Sequence, residues 1–216
     1  MRALLRMLFV VLVAYPVVWL WLGIHVRHRA RLPVRGPAII AANHNSHLDI
    51  LTLLSLFPLL SIPQVQPAAA ADYFFRTWWL RWFARYVIGI IPVARGSRQV
   101  ADAPDPLAEC YEALAAGKVL VIFPEGTRGE PEQMGELKSG IWFLAQRFPA
   151  VPVVPVYLYG LGKAMPKGTF IPTPFFVQVA VGSALPPDLD KASFMDNLRG
   201  QFEKLKQQIY RPVDED

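Results

Sequence analysis

Cysteine is nearly absent from the chain. Cys110 is the single one among 216 residues, which excludes an intramolecular disulfide framework and a four-cysteine zinc site. Histidine is scarce too. Four residues leave room for one imidazole-based site and argue against a metal cluster. Charge is thin: Asp, Glu, Lys and Arg make up 18%, against 53% hydrophobic residues. That balance excludes disorder for the bulk of the chain, because disorder needs low hydrophobicity and high net charge. No internal repeat, no Gly-x-Ser-x-Gly nucleophile elbow and no helix-turn-helix or interleaved basic-aromatic pattern occurs. The net charge of +5 therefore does not point to nucleic acid. In so apolar a chain it points to a phospholipid surface or a phosphorylated substrate.

What is present begins with Met7–Ile24, a run of 18 uncharged residues between Arg2 and Arg6 on one side and Arg27, Arg29 and Arg31 on the other. Three readings stand: a single transmembrane helix, a helix or broken hairpin embedded in one leaflet, and a cleaved signal peptide. The run is near the lower length limit for a span, and Pro16 lies inside it. It is long for a signal sequence and no small-x-small cleavage site follows. Tyr15, Trp19 and Trp21 suit a membrane interface, and the denser basic cluster after Ile24 keeps the larger part of the chain cytoplasmic. The expected division is an anchor over residues 1–31 and a domain over 32–216.

Beyond the anchor, 20 Pro and 14 Gly punctuate short elements. Strand-like runs are Pro37–Ala42, Val119–Phe123, Val153–Tyr159 and Phe175–Val181. Helical periodicity occupies Ser46–Phe57, Arg76–Val87, Pro106–Ala116 and Glu136–Phe148, while Pro63–Ala71 reads as a loop or sheet-edge connection. Phe194, Leu198, Phe202, Leu205 and Ile209 share one face of a C-terminal helix. Strands alternating with helices predict an α/β domain, a central mixed sheet flanked by helices.

Four stretches carry chemistry. Asn43-His44-Asn45-Ser46-His47-Leu48-Asp49 follows a strand and opens a helix. His44 and Asp49 stand five apart, which rotates ~140° on an ideal helix. They meet only if His44 lies in the turn and Asp49 in the first helical turn. A carboxylate so placed fixes an imidazole's tautomer, and the other ring nitrogen can then take a proton. Capping of the helix by Asp49 is the structural alternative, and His47 reads as a surface residue. Phe123-Pro124-Glu125-Gly126-Thr127-Arg128-Gly129 leaves a strand with a guanidinium fork between glycines, suited to a phosphate. Lys138 can reach the same anion or face solvent. Gly89–Gly96 ends a strand-like run in Arg95, a second phosphate ligand or a solvent charge. Val151–Val156 reads as a buried strand with prolines at its start.

In this order, His-x4-Asp, Gly…Arg, Phe-Pro-Glu-Gly-Thr-Arg and Val-Pro-Val-Val-Pro-Val, the stretches resemble the 1-acylglycerol-3-phosphate acyltransferase family of glycerolipid acyltransferases. The likeness covers roughly Pro37 to Tyr159, and Ile-Pro-Val-Ala-Arg departs from the family's usual aromatic-containing second block. It implies His44 as the catalytic base, oriented by Asp49. It implies Arg95, Glu125, Gly126 and Arg128 at the acceptor's phosphate and glycerol, with Thr127 and Lys138 counted among the substrate-binding residues. No metal or resident cofactor is implied. The partners are a phospholipid membrane, a lysophospholipid acceptor and an acyl thioester donor, either acyl-CoA or acyl carrier protein. The expected location is the cytoplasmic side of the inner or plasma membrane. Two alternatives remain: the same chemistry on another acceptor (lyso-ornithine lipid, another lysophospholipid or glycerol 3-phosphate), and a lipid-binding protein of this fold without catalysis.

Overall fold

A computed structural model describes residues 1–70, 77–94, 105–166, 168–169, 171–186 and 190–210. Seven strands form one sheet: β1 Ile24–Arg27, β2 Ala38–Ala42, β3 Val65–Ala70, β4 Ile91–Val93, β5 Val119–Ile122, β6 Val153–Tyr159 and β7 Val177–Val181. Their order is β1-β7-β6-β2-β5-β3-β4. All neighbours are parallel except β6 and β7, which makes the sheet mixed. The helices are α1 Arg2–Phe9 with its continuation to Leu22, α2 Leu48–Ser55, α3 Trp78–Phe83 with its continuation to Ile88, α4 Ala108–Ala115, α5 Gly140–Arg147, α6 Leu161–Ala164 and α7 Lys191–Tyr210.

Both sheet faces are covered, which is why the central strands read as unbroken apolar runs rather than alternating ones. Ala38, Ile40, Ala42, Val119, Val121, Val154, Val156, Val177 and Val179 pack on the side of α2 and the N-terminal helix. Ile39, Ala41, Leu120, Ile122 and Tyr157 point the other way, against α4, α5 and α7. The expected stripe of α7 is buried in full: Phe194, Leu198, Phe202, Leu205 and Ile209 all lie in this second cluster. Phe75 and Arg76, at the expected start of the tryptophan-rich helix, lie outside the described residues.

The N-terminal helix is half docked and half bare. Arg6, Val10, Ala14, Val18 and Leu22 are buried, stepping by four. In an α-helix that stripe drifts ~40° per step. Wider π-type turns over Val10–Ala14 and Pro16–Leu22 counter the drift and hold it against the domain. Arg6 fixes the docking. Its guanidinium donates to Pro63 O at 3.2 Å, to Ile88 O at 3.1 Å and to Val65 O. Gly89, with φ +88°, lies so close that a Cβ there would overlap the guanidinium. Tyr15 Oη reaches Phe57 O at 3.2 Å, and Phe9 meets Phe83 edge-on.

Two stretches differ from expectation. Ile24–Arg27, inside the segment read as an anchor, pairs in parallel with β7 and so extends the sheet. Its alternating Ile, His, Val and Arg suit an edge strand with one dry and one wet face. Val65–Ala70, read as a loop or sheet-edge connection, is a strand between β5 and β4. Pro67 is tolerated because β4 pairs only from Ala68 onward, where N–H groups are available again.

Candidate active site

β2, β5 and β6 are adjacent and parallel, with Ala41 beside Ile122 and Ala42 beside Val156. Their C-terminal ends therefore open on one edge, and the segments that follow them meet there. Asn43 ties the edge together: its side chain donates to Leu158 O at 2.9 Å and accepts from Leu158 N–H at 2.6 Å. Asn45 donates to the same carbonyl at 3.1 Å.

The chain leaves β2 in a turn and enters α2, which brings His44 and Asp49 face to face as the turn geometry requires. Nδ1 of His44 lies 2.8 Å from Oδ2 of Asp49. That same oxygen accepts the backbone N–H of Asn45 at 2.6 Å and of Ser46 at 2.9 Å. Asp49 is fully buried, and its Oδ1 has no partner among the described residues. The capping contact and the imidazole contact are thus not alternatives, because one carboxylate oxygen makes both. A carboxylate only accepts, so Nδ1 carries the proton and Nε2 is left as the basic nitrogen. The imidazole stacks on Phe123 with centroids 4.2 Å apart and keeps 19% side-chain exposure, enough to meet a substrate.

The loop after β5 holds the backbone of His44 from both sides. His44 N–H donates to Glu125 Oε1 at 2.8 Å, and His44 O accepts from Gly129 N–H at 3.1 Å. The second oxygen of Glu125 accepts from Gly135 N–H at 2.8 Å. Each oxygen of this buried carboxylate thus meets a main-chain N–H. Burial pushes Glu125 above the usual carboxylate range, against the pull of those two N–H groups. Gly126, with φ +70°, and Thr127 stand exposed at the loop tip, followed by half-buried Arg128. The ammonium of Lys138 pairs with Glu136 at 2.8 Å on the exposed surface, while its stem passes beside Gly126. Arg95 lies outside the described residues. Cys110 is buried in α4, and desolvation pushes its thiol up to about 12, so it carries no nucleophile.

By sequence His47 reads as a surface residue and Glu132 is passed over. His47 is half-buried rather than solvated. Burial pushes its imidazole down to about 4, and the charges of Arg128 and His44 push the same way. Glu132 lies buried at the foot of the same loop. A second histidine and an extra glutamate in the loop were the available signals, but neither type says by itself which way it points.

Comparison with known proteins gives the family of the chain. A family model described as Acyltransferase matches residues 23–159, and the chain belongs to that family. The relatives are more particular. The chloroplastic 1-acyl-sn-glycerol-3-phosphate acyltransferase LPAT1 of Arabidopsis thaliana is 32% identical over 162 residues, covering 69% of this chain and 42% of that protein. The chloroplastic 1-acyl-sn-glycerol-3-phosphate acyltransferase BAT2 of Brassica napus is 35% identical over 133 residues, covering 62% and 36%. The chain thus spans less than half the length of these relatives. The crystal structure of the 1-acyl-sn-glycerophosphate acyltransferase PlsC from Thermotoga maritima shares the fold, with a TM-score of 0.69 over 91% of this chain and 76% of that one at 23% identity.

The environment of His47 generates a pH prediction. Above its ordinary value of 6.5 the ring is neutral in folded and unfolded chain alike, and its contribution to stability is complete. As pH falls toward about 4 the unfolded chain takes up a proton that the fold refuses, and stability is lost. Thermal melts of the wild type and His47→Gln between those values should show the wild type losing ground to the variant with acidification. A gap between the two that stays constant with pH contradicts the buried, neutral assignment.

Proposed function

We propose that this acyltransferase moves a fatty acyl group from an acyl thioester to the free hydroxyl of 1-acylglycerol 3-phosphate, giving phosphatidic acid. The observation that carries the reading is the 2.8 Å contact of His44 Nδ1 with a fully buried Asp49, beside the loop that bears Arg128. Nε2 of His44 takes the hydroxyl proton as the oxygen attacks the thioester carbonyl. The C–O bond forms, the tetrahedral intermediate collapses with loss of the C–S bond, and the thiolate recovers the proton from the imidazolium. A thiolate is a good leaving group, so no acyl-enzyme is required. Arg128 meets the acceptor's phosphate with paired N–H donors, and the glycines around it admit the headgroup to the backbone. The donor is acyl-CoA or acyl carrier protein. The names of the relatives support the acceptor. In this reading Glu125 serves the acceptor side by shaping its loop.

The site works at a membrane surface. Leu4, Leu8, Leu12, Leu20 and Trp21 are exposed along the outer side of the N-terminal helix, and Trp78, Trp79 and Trp82 are exposed on α3. Because the buried side of the N-terminal helix is docked on the domain, the helix lies in one leaflet rather than crossing both. Arg27, Arg29, Arg31 and Arg35 follow it and suit the anionic cytoplasmic leaflet.

Purified protein assayed with labelled lysophospholipids and both thioester donors tests the chemistry. 1-Acylglycerol 3-phosphate should be the preferred acceptor. His44→Ala should lower turnover by about 10²–10⁴-fold while staying folded, and Arg128→Ala should act mainly by raising KM for that acceptor. Near wild-type turnover in His44→Ala refutes the mechanism. A second measurement addresses the membrane. Replacing Trp78, Trp79 and Trp82 together by Ala should weaken sedimentation with anionic vesicles by about tenfold or more. Unaltered sedimentation would exclude α3 from the lipid contact.

A further inference from the structure

Glu132 is costly where it stands. Gln133 N–H donates to Glu130 O at 3.1 Å, closing a turn with Pro131 and Glu132 at its centre. Pro131 suits the first central position, but Glu132 takes φ +62°, the left-handed conformation that such turns normally give to glycine. Its carboxylate is also buried, with the residue 8% exposed. One oxygen accepts the N–H of Gly160 at 2.9 Å. The other has no partner among the described residues. A glycine would remove all three penalties. Backbone strain, burial and an unsatisfied oxygen at one residue indicate that the surrounding structure needs that side chain.

What it gains is an attachment between two strand ends. Gly160 follows β6 and opens α6, while Glu132 belongs to the loop that follows β5. Pro131 sits directly on Gly162, where a Cβ would come within 3.1 Å of it and within 3.4 Å of Asn45. Three residues before Glu132, Gly129 donates to His44 O, and Arg128 is its neighbour. The loop is therefore pinned to the His44 turn at one end and to the end of β6 at the other, with Arg128 held next to the first pin.

We propose that Glu132 is a positioning residue for the phosphorylated acceptor: by fastening the Glu130–Gln133 turn to Gly160, it holds Arg128 at the height above His44 that the acceptor's phosphate requires. This rests on the reading of Arg128 as the phosphate contact. The residue touches no substrate, so its effect falls on KM and not on the proton transfer.

Two variants of the full chain separate this role from a merely structural one. Glu132→Gly removes the tether yet supplies the residue the turn prefers, and Glu132→Gln keeps a carbonyl oxygen to accept from Gly160. Glu132→Gly should raise KM for 1-acylglycerol 3-phosphate by about five- to tenfold with kcat within about twofold. Its melting temperature should stay within ~2 °C of the wild type, and hydrogen exchange at the Gly160 amide should quicken. Glu132→Gln should match the wild type in all four measurements. The proposal is overturned by an unchanged KM in Glu132→Gly, by unchanged exchange at Gly160, or by a Glu132→Gln variant as impaired as Glu132→Gly. A wild-type chain that fails to acylate 1-acylglycerol 3-phosphate refutes the acceptor assignment and the KM role with it. Exchange at Gly160 then still decides whether Glu132 fastens the loop.

Discussion

One oxygen atom, Oδ2 of Asp49, gathers three donors: the Nδ1–H of His44 and the backbone N–H groups of Asn45 and Ser46. The two main-chain contacts fix the carboxylate at the start of α2, and the fixed carboxylate fixes the ring. Sequestered in a fully buried residue, this contact cannot exchange its partners for water, and a charge-assisted hydrogen bond is stronger there than at a surface. The free ring nitrogen acquires its direction from that constraint. Had the carboxylate served only to cap the helix, nothing would hold the imidazole against Phe123.

The sheet supplies the rest of the geometry. Because β2, β5 and β6 run parallel side by side, the His44 turn, the Arg128 loop and the start of α6 converge without any long excursion. Buried polar groups knit them together: Asn43 and Asn45 to Leu158, Glu125 to His44 and Gly135, and Glu132 to Gly160. Each of these groups would be expensive if left unmatched, so the three segments are locked as a unit. The N-terminal helix packs against the continuation of α3, and both carry exposed apolar side chains.

Much of this was legible in the sequence, and the rest was hidden for identifiable reasons. The stripe from Phe194 to Ile209 announced α7 because helical period and burial coincide there. The five-residue spacing of His44 and Asp49 already required a turn-to-helix junction, since mid-helix the two side chains diverge. β1 was obscured because His25 and Arg27 made it look like the polar flank of a membrane segment. β3 was obscured by Pro63 and Pro67, which read as breakers until the register shows where β4 begins. The division expected between residues 31 and 32 names an anchor and a domain but says nothing of the contacts between them. The carbonyls that Arg6 meets come from positions 63, 65 and 88, too far along the chain for a local pattern to reveal. Glu125 entered through the resemblance, as a residue at the acceptor's phosphate and glycerol. Only the fold reveals that two amide N–H groups already occupy it.

The direction of the free ring nitrogen is set by the protonation pattern of one ring, which nitrogen-15 NMR of the histidine-labelled protein reads directly. In its neutral form the His44 ring should carry its proton on Nδ1 and show a pyridine-like Nε2, and Asp49→Asn should abolish that preference. A wild-type ring carrying its proton on Nε2 would leave no base pointing at the acceptor and would contradict the account.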